Sequence, residues 1–306
     1  MAVSGKKERF SRILVTGSSG LIGAPLCEYL ERDGHEVVRF DIAQDSKHDI
    51  RNRAALETAM RGCGGVIHLA AISRVADAER DPGACETINV GGTRNVVEAA
   101  LAAKERPWLL FSSSREVYGQ PQTMPVSEDS PVAPYNTYGR SKAAGEKVVL
   151  NASRQGLRTA ILRLTNVYGG LNDHKARVIP AFVRASLANA PLRVEGPNAT
   201  FDFVHVDDCV AAFAKAITLL EAGEKQIGPF NVACGRATTL GELARLVVSR
   251  AHSKSEVAIH DPLKFNVSRF VGDPARAERA LGWKHAISLE AGLDKFIALC
   301  RAEGKK

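Results

Sequence analysis

The sequence predicts an α/β protein: a doubly wound parallel sheet with a smaller lobe interleaved after it. Three observations carry that expectation. Short apolar runs of strand length recur at residues 13–15, 65–70, 108–111 and 159–164. Helical patterns lie between them, and strands that alternate with helices pair in parallel and are covered on both faces. The first run leads straight into three spaced glycines, Gly17, Gly20 and Gly23, and then into a helix.

The elements follow in order. Residues 13–15 form the first strand, and the helix after the glycines has Leu26, Tyr29 and Leu30 on one face and ends at Gly34. Glycine permits a tight turn and lets a backbone come close to a ligand. The helix start offers unpaired N–H groups and partial positive charge, which suit a pyrophosphate. Residues 35–40 are a second strand with Asp41 at its end. An acid there can hydrogen-bond both ribose hydroxyls of an adenosine and repels a 2′-phosphate, which favours NAD over NADP. The plain alternative is an ordinary strand–helix–strand unit with an exposed aspartate. Spacing, strand, helix and acid agree on a Rossmann-type dinucleotide site instead.

Residues 49–52 open a short helix ending near Met60, and 65–70 are the third strand, in which His68 is expected as a packed core histidine. A long helix covers 84–103, with Val90, Val97 and Leu101 among its apolar positions. The strand at 108–111 runs into Ser112, Ser113 and Ser114, and a loop with Pro121, Pro125, Pro131 and Pro134 follows. Residues 138 to about 153 are helical, and 159–164 are a strand. Ligands of such sheets bind at the carboxyl ends of the strands, where Ser114 and Asn166 fall. After Tyr168-Gly169-Gly170 the alternation loses its regularity. A strand at 201–206 leads to a helix near Asp207, another strand is expected at 228–232, and helices at 240–253, 273–281 and 288–303. The expected division is a flexible arm at 1–12 and an NAD-binding domain at 13–166 with returning segments at about 201–233. A substrate-binding lobe takes 167–200 and 234–303.

Bulk properties narrow the class. The chain has 306 residues, 45% of them apolar, enough for a real core. It contains no run of about 18 apolar residues, so no membrane span is expected. Its first residues are polar and basic, without the apolar segment of a secretory signal. The six cysteines are scattered, which predicts reduced thiols in a cytoplasmic protein and no metal site. The net charge of +7 lies partly in the two tails. No basic stretch is interleaved with aromatics, so no nucleic-acid partner is expected. A basic balance suits small anionic ligands such as nucleotides.

Tyr138 and Lys142 stand at i and i+4, one face of a helix. A tyrosine of ordinary pKa is a poor base at neutral pH. A nearby ammonium and a cationic nicotinamide both favour the phenolate. Tyr138 can then take a hydroxyl proton while hydride leaves the same carbon for NAD. The Ser114 hydroxyl can bind the substrate oxygen and help relay that proton. A surface pair is the commoner fate of a Tyr-x-x-x-Lys, and the dinucleotide fingerprint ahead of it decides for catalysis.

Over nearly its whole length the chain resembles an extended short-chain dehydrogenase/reductase of the NAD-dependent nucleotide-sugar epimerase/dehydratase family. The motifs are Thr16-Gly17-x-x-Gly20-x-x-Gly23, Asp49-Ile50, His68-Leu69-Ala70-Ala71 and Asn89-Val90-x-Gly92-Thr93. Ser112-Ser113-Ser114, Val117-Tyr118-Gly119, Tyr138-x-x-x-Lys142 and Asn166-Val167-Tyr168-Gly169 follow. Asp202-Phe203-Val204-His205-Val206-Asp207-Asp208 and Leu281-Gly282-Trp283 complete the set. The resemblance implies a tightly held, recycled NAD and a UDP-, dTDP- or GDP-sugar between the lobes, with a UDP-sugar favoured. Leu21 and Ile22 would then join the glycines at the cofactor. Asp41, Asp49 and Ile50 would flank the adenosine, with Leu69, Ala70 and Ala71 beside the cofactor and Tyr138 and Lys142 at its reactive end. Asn166 would face the sugar-nucleotide phosphates, and the segment 192–194, with Val194, would run beside the base. A homodimer through the helices near 92–103 and 138–153 is implied as well.

Two departures bear on the reaction. Family members usually carry an arginine where this chain has Phe201, and Arg269 is implied as the replacement diphosphate contact. The second departure is Ser114-Arg115-Glu116. Sugar 4,6-dehydratases typically have an aspartate acid and a glutamate base after the hydroxyl residue, and Arg115 takes the acid's place. Three readings stay open. The first is a 4-epimerase working through a transient 4-keto sugar, uronates included, since Arg115 can bind a carboxylate. The second is a 4,6-dehydratase or UDP-glucuronate decarboxylase using Glu116. The third is a non-catalytic NAD sensor, against which Ser114, Tyr138 and Lys142 argue.

Overall fold

A computed structural model describes residues 11–261 and 267–304. Of the arm expected at 1–12, all but Ser11 and Arg12 lies outside the described residues. The first half runs β1 (Arg12–Thr16), α1 (Gly23–Arg32), β2 (Glu36–Phe40), α2 (Arg53–Ala59), β3 (Gly65–His68), α3 (Val75–Arg80) and α4 (Pro82–Cys85). A π-helical stretch, Glu86–Gly91, joins α4 to α5 (Gly92–Ala102). Next come β4 (Trp108–Ser114), a 3₁₀ turn over Arg115–Tyr118, α6 (Thr137–Arg154) and β5 (Thr159–Leu164). The second half runs β6 (Asn166–Tyr168), α7 (Val178–Leu187), β7 (Leu192–Glu195), β8 (Thr200–Phe201), β9 (Phe203–His205), α8 (Val206–Glu221) and β10 (Gln226–Val232). It ends with β11 (Thr238–Thr239), α9 (Leu240–Arg250), β12 (Val257–His260), α10 (Ala275–Leu281) and α11 (Leu289–Glu303). Among the described residues no helix is long and apolar enough to cross a membrane.

Six parallel strands form the central sheet in the order β10-β5-β4-β3-β1-β2. The chain moves outward from β1 to β2 and then returns to β3 on the other side. The strand order therefore reverses between β1 and β3, where Thr16 pairs with His68. A crevice opens at the carboxyl ends of strands at such a point. Side chains alternate across the sheet. Ile13, Val15 and Ile67 pack with α1 and α8 on one face, and Leu14, Val66 and Leu109 with α2 and α5 on the other. Every residue of β4 is buried, as a central strand covered on both faces requires.

A third cluster holds the second lobe together, with Phe182 of α7, Leu192 and Val194 of β7, Leu243 and Val247 of α9, and Phe296 of α11. The expected lobe at 234–303 is divided in the structure. Ala277, Leu281 and Trp283 pack with α8 and β10 under the central sheet, so α10 belongs with the first lobe. Trp283 is fixed there by its indole N–H, which donates to the Asp208 carbonyl at 2.9 Å. The helix expected at 84–103 begins earlier, at Pro82, and changes to π geometry midway. The strand expected at 201–206 is broken in two at Asp202. That buried carboxylate accepts N–H bonds from Cys234, Gly235 and Gly272, tying the lobes together at the break.

Candidate active site

A cavity of about 860 Å³ lies at the carboxyl ends of β1, β3, β4 and β5, walled on the far side by α7 and β7. The glycine turn forms one end. Gly17 adopts φ +71°, and its N–H donates to the Phe40 carbonyl at 3.0 Å, binding the turn to the end of β2. A Cβ at Gly17 would lie 2.7 Å from the Ala70 nitrogen, and one at Gly23 would lie 2.1 Å from the Gly17 oxygen. Larger residues at either place would fill the cradle. The Asp41 carboxylate accepts from the backbone N–H groups of Ser19 and Ala43, both at 2.9 Å, so it braces the turn. The start of α1 has no side-chain cap and no acid in its first turn. The buried hydroxyls of Ser18 and Ser19 have no partner among the described residues. A tight backbone cradle with uncommitted donors beside a carboxylate fits a dinucleotide.

The motif around Asn89 is architectural. The Asn89 side chain accepts from the Ile72 N–H at 2.8 Å and donates to the Ile72 carbonyl at 3.0 Å, pinning the loop after β3. It also donates to Ser141 Oγ on α6 at 2.9 Å. Gly92 leaves room for Ile50, whose Cδ1 would lie 2.3 Å from a Cβ there. His68 is buried between Thr16 Oγ1 at 2.8 Å and Thr93 Oγ1 at 2.9 Å, and burial pushes its pKa down to about 3. It is a neutral core histidine, as its position inside a strand predicts.

Tyr138, Ser114 and Lys142 meet at the middle of the cavity. Asn136 caps α6 by accepting from the Gly139 N–H at 2.7 Å, which fixes where Tyr138 begins the helix. The Ser114 hydroxyl lies beside the Tyr138 phenol. Burial pushes the Tyr138 phenol up to about 12, while the Arg177 guanidinium and the Ser114 hydroxyl pull it down. The Lys142 ammonium lies 5.9 Å from the Tyr138 ring centre, and burial lowers its pKa to about 8. Two glycines let α6 come this close. A Cβ at Gly139 would lie 2.4 Å from the Glu116 carbonyl oxygen, and one at Gly145 would lie 2.7 Å from Phe111 Cζ.

Glu116 is spoken for on both oxygens. One lies 2.8 Å from Arg115 Nη2, and the other accepts from Asn136 Nδ2 at 2.7 Å. Arg115 is buried, with its guanidinium 4.8 Å from the centre of the Phe201 ring.

All the residues expected at the nucleotide line the cavity, from Gly17, Gly20, Leu21, Ile22 and Gly23 through Asp41, Asp49 and Ile50 to Leu69, Ala70 and Ala71. Asn166 lines it too. Asp49 is paired with Arg51, whose hydrogen bond lowers its carboxyl. Two of the expected residues do not themselves line the cavity. Val194 is fully buried in the second-lobe core, because the alternation of β7 turns Arg193 and Glu195 toward the cavity instead. Arg269 is exposed and pairs through its backbone with Thr200, outside the cavity lining. Sequence reading missed Arg177, which stands just before α7 and lines the cavity, donating from Nη2 to Ser73 Oγ at 3.0 Å. No motif marks it; the only signal was a cation in the irregular stretch after Gly170.

The late motif also proves structural at His205. Its ring packs edge-on against Tyr168, and a Cβ at Gly169 would lie 2.5 Å from its Nε2.

Known proteins share this architecture. A UDP-glucose 4-epimerase of Mycolicibacterium smegmatis is 33% identical over 313 residues, covering 95% of this chain and 98% of the relative. The crystal structure of a Thermotoga maritima UDP-glucose 4-epimerase with UDP-glucose superposes with a TM-score of 0.88 at 28% identity, covering 95% of this chain and 99% of that one. A Thermus thermophilus UDP-glucose 4-epimerase in complex with NAD gives 0.86 at 26% identity, with the same coverage. The model of the NAD dependent epimerase/dehydratase family matches residues 13–233, from the first strand of the central sheet to its last. A match of that extent, over the strands that carry both the glycine turn and the Tyr138–Lys142 helix, makes this chain a member of that family.

Proposed function

We propose that this chain is an NAD-dependent nucleotide-sugar 4-epimerase that takes a UDP-sugar through a transient 4-keto sugar. The observation that carries the reading is the Tyr138 phenol with Ser114 beside it, one helical turn from Lys142, inside the cavity that begins at the glycine turn. The turn, the start of α1 and Asp41 would hold NAD, which when bound accepts the C4 hydride and returns it to the opposite face of the ketone. Tyr138 takes the proton of the C4 hydroxyl on oxidation and gives it back on reduction. Ser114 holds the same oxygen by a hydrogen bond. Lys142 supplies positive charge that favours the phenolate. Glu116 is paired with Arg115 and Asn136, and Arg115 stands where a 4,6-dehydratase needs a neutral acid, which weighs against the dehydratase reading.

A homodimer through α5 and α6 belongs to the same proposal, with Arg94, Glu98, Arg140 and Lys147 on their exposed faces. So does a cytoplasmic location, which six unbridged cysteines support. Light scattering on the purified protein tests the first and fractionation the second. The decisive experiment incubates the protein with NAD and a panel of UDP-, dTDP- and GDP-sugars and resolves the products. Conversion of a UDP-sugar to its C4 epimer is expected. Formation of a stable 4-keto-6-deoxy sugar or a pentose would overturn the reading.

A further inference from the structure

Tyr138, Lys142 and Glu146 stand at i, i+4 and i+8 of α6, so all three lie on one face of the helix. That face meets the end of β4. Tyr138 lies beside the Ser114 hydroxyl, Lys142 donates to the Ser112 carbonyl at 2.8 Å, and Ser113 Oγ donates to Glu146 Oε1. Glu146 is the member of this stripe to which the reaction assigns no step. Its buried carboxylate takes two nitrogens of Arg163, Nε at 2.8 Å and Nη2 at 2.7 Å. Arg163 pairs in register with Ser113 across the sheet, which brings both partners of Glu146 together beneath the helix. The remaining nitrogen, Nη1, donates to the Tyr118 hydroxyl at 2.9 Å and so holds the guanidinium from the side of the 3₁₀ turn. A buried ion pair is weak evidence for stability, since well-packed apolar side chains often serve as well.

The titratable groups that face Lys142 are Tyr138 and Glu146 on its own helix, Cys85 of α4 and His68 of β3. Burial lowers the Lys142 pKa to about 8, and Cys85 and Glu146 oppose that fall. Burial also raises the Cys85 thiol and lowers His68 to about 3, so both are neutral at neutral pH. Glu146 is therefore the resident negative charge among these groups. Arg163 keeps it ionised, since an unpaired carboxylate buried in the same place would take up a proton instead. The carboxylate end of the pair is carried by the helix of Lys142, one turn on, and the guanidinium end by β5. The 4-epimerase reading, on which this inference rests, needs the Lys142 charge because it favours the Tyr138 phenolate. We infer that Glu146 is a positioning residue of the proton relay: it seats α6 on the end of β4 and holds the counter-charge that keeps Lys142 an ammonium beside Tyr138.

The test compares the wild-type protein with Glu146→Gln and with Glu146→Gln/Arg163→Met, each loaded with NAD. The double variant leaves no guanidinium buried and unpaired if the single variant misfolds. Two readouts are followed against pH. One is turnover of UDP-glucose. The other is the near-ultraviolet absorbance of the Tyr138 phenolate, isolated by subtracting the matching Tyr138→Phe protein. Loss of the neighbouring carboxylate should move the alkaline limb of kcat down by about one pH unit, so that rates on that limb fall by about tenfold. KM should change far less, and the phenolate should form at correspondingly higher pH. A uniform loss of kcat, with the limb and the phenol titration both in place, would overturn the inference and leave the pair a structural staple. Failure of both variants to fold would overturn it in the same way. Absence of turnover by the wild type would count against the epimerase reading alone, because the phenolate titration needs no substrate and decides the inference by itself.

Discussion

The Lys142 ammonium donates to the Ser112 carbonyl at 2.8 Å, bonding the middle of α6 to the end of β4. The bond fixes a charge near the Tyr138 ring without spending it on a carboxylate. It exists because α6 approaches β4 at glycines on either side of Lys142. A Cβ at Gly145 would lie 2.7 Å from Phe111 Cζ, and Phe111 is itself buried among side chains that leave it little room. Gly145→Ala should therefore press α6 away from the strand. Overpacking of this kind typically destabilises by about 1–3 kcal/mol. Turnover should fall as well, since Lys142 and Tyr138 move with the helix. Urea unfolding and kcat measured together check this; unchanged values in both would show that the ring yields.

Tyr138→Phe keeps the ring and the packing but removes the proton acceptor. General acid–base groups are worth roughly 10²–10⁴-fold in rate, and a loss of that order in kcat is expected. NAD binding, followed by equilibrium titration, should persist. Ser114→Ala should cost less, because water can replace part of its hydrogen bond. Near-full turnover by Tyr138→Phe would remove the phenol from the mechanism.

Much of this site was legible because its parts are local. The glycine turn, Asp41 and the Tyr138–Lys142 spacing depend on neighbours in the chain, and all of them line the cavity. What depends on tertiary closure was not legible. Arg177 meets Ser73 across 104 positions. Glu116 meets Asn136, 20 residues on. Val194 illustrates a different limit. A strand of four residues in an irregular lobe has a clear period of two but nothing local to set its phase, and the other phase faces the cavity.

Asp41 bears on the choice of cofactor. Its carboxylate holds the glycine turn through Ser19 and would face a ribose. Asp41→Asn keeps an oxygen for the turn but removes the charge that repels a 2′-phosphate. The wild type should bind NAD more tightly than NADP, and the variant should lose roughly tenfold or more of that discrimination, the scale of one charged hydrogen bond. Titration of both nucleotides checks it. Tighter binding of NADP by the wild type would contradict the assignment.

His68 gives the fold a pH dependence of known sign. Burial holds its pKa near 3 in the folded chain, below the ordinary histidine value of 6.5. The unfolded chain takes up a proton as pH falls through 6.5, and the folded chain does not. Stability from this residue is complete above pH 6.5 and is lost progressively between 6.5 and about 3. A single proton gives a slope approaching about 1.4 kcal/mol per pH unit. Urea unfolding at a series of pH values should show His68→Gln with a shallower acid limb than the wild type. Parallel limbs would mean that other groups set it.

Glu116 separates the two enzyme chemistries. A 4-epimerase moves a hydride at C4 and a proton at its oxygen, and never breaks the C5–H bond. A 4,6-dehydratase must remove the C5 proton once the C4 ketone has acidified it, and must protonate the departing C6 oxygen. Arg115 stays charged at any working pH and is a poor source for that second proton. The first task falls to Glu116, yet its two oxygens are engaged by Arg115 at 2.8 Å and Asn136 at 2.7 Å. Taking up a proton would neutralise its carboxylate and leave the buried Arg115 guanidinium without a counter-charge. Turnover in heavy water, with mass analysis of the recovered sugar, should therefore find C5 free of deuterium. Glu116→Gln keeps the Asn136 bond and loses the Arg115 ion pair, so its effect should appear mainly in KM. A base at this position would instead lose kcat by roughly 10²-fold or more. Deuterium at C5, together with such a loss in kcat, would make Glu116 the base and the enzyme a lyase.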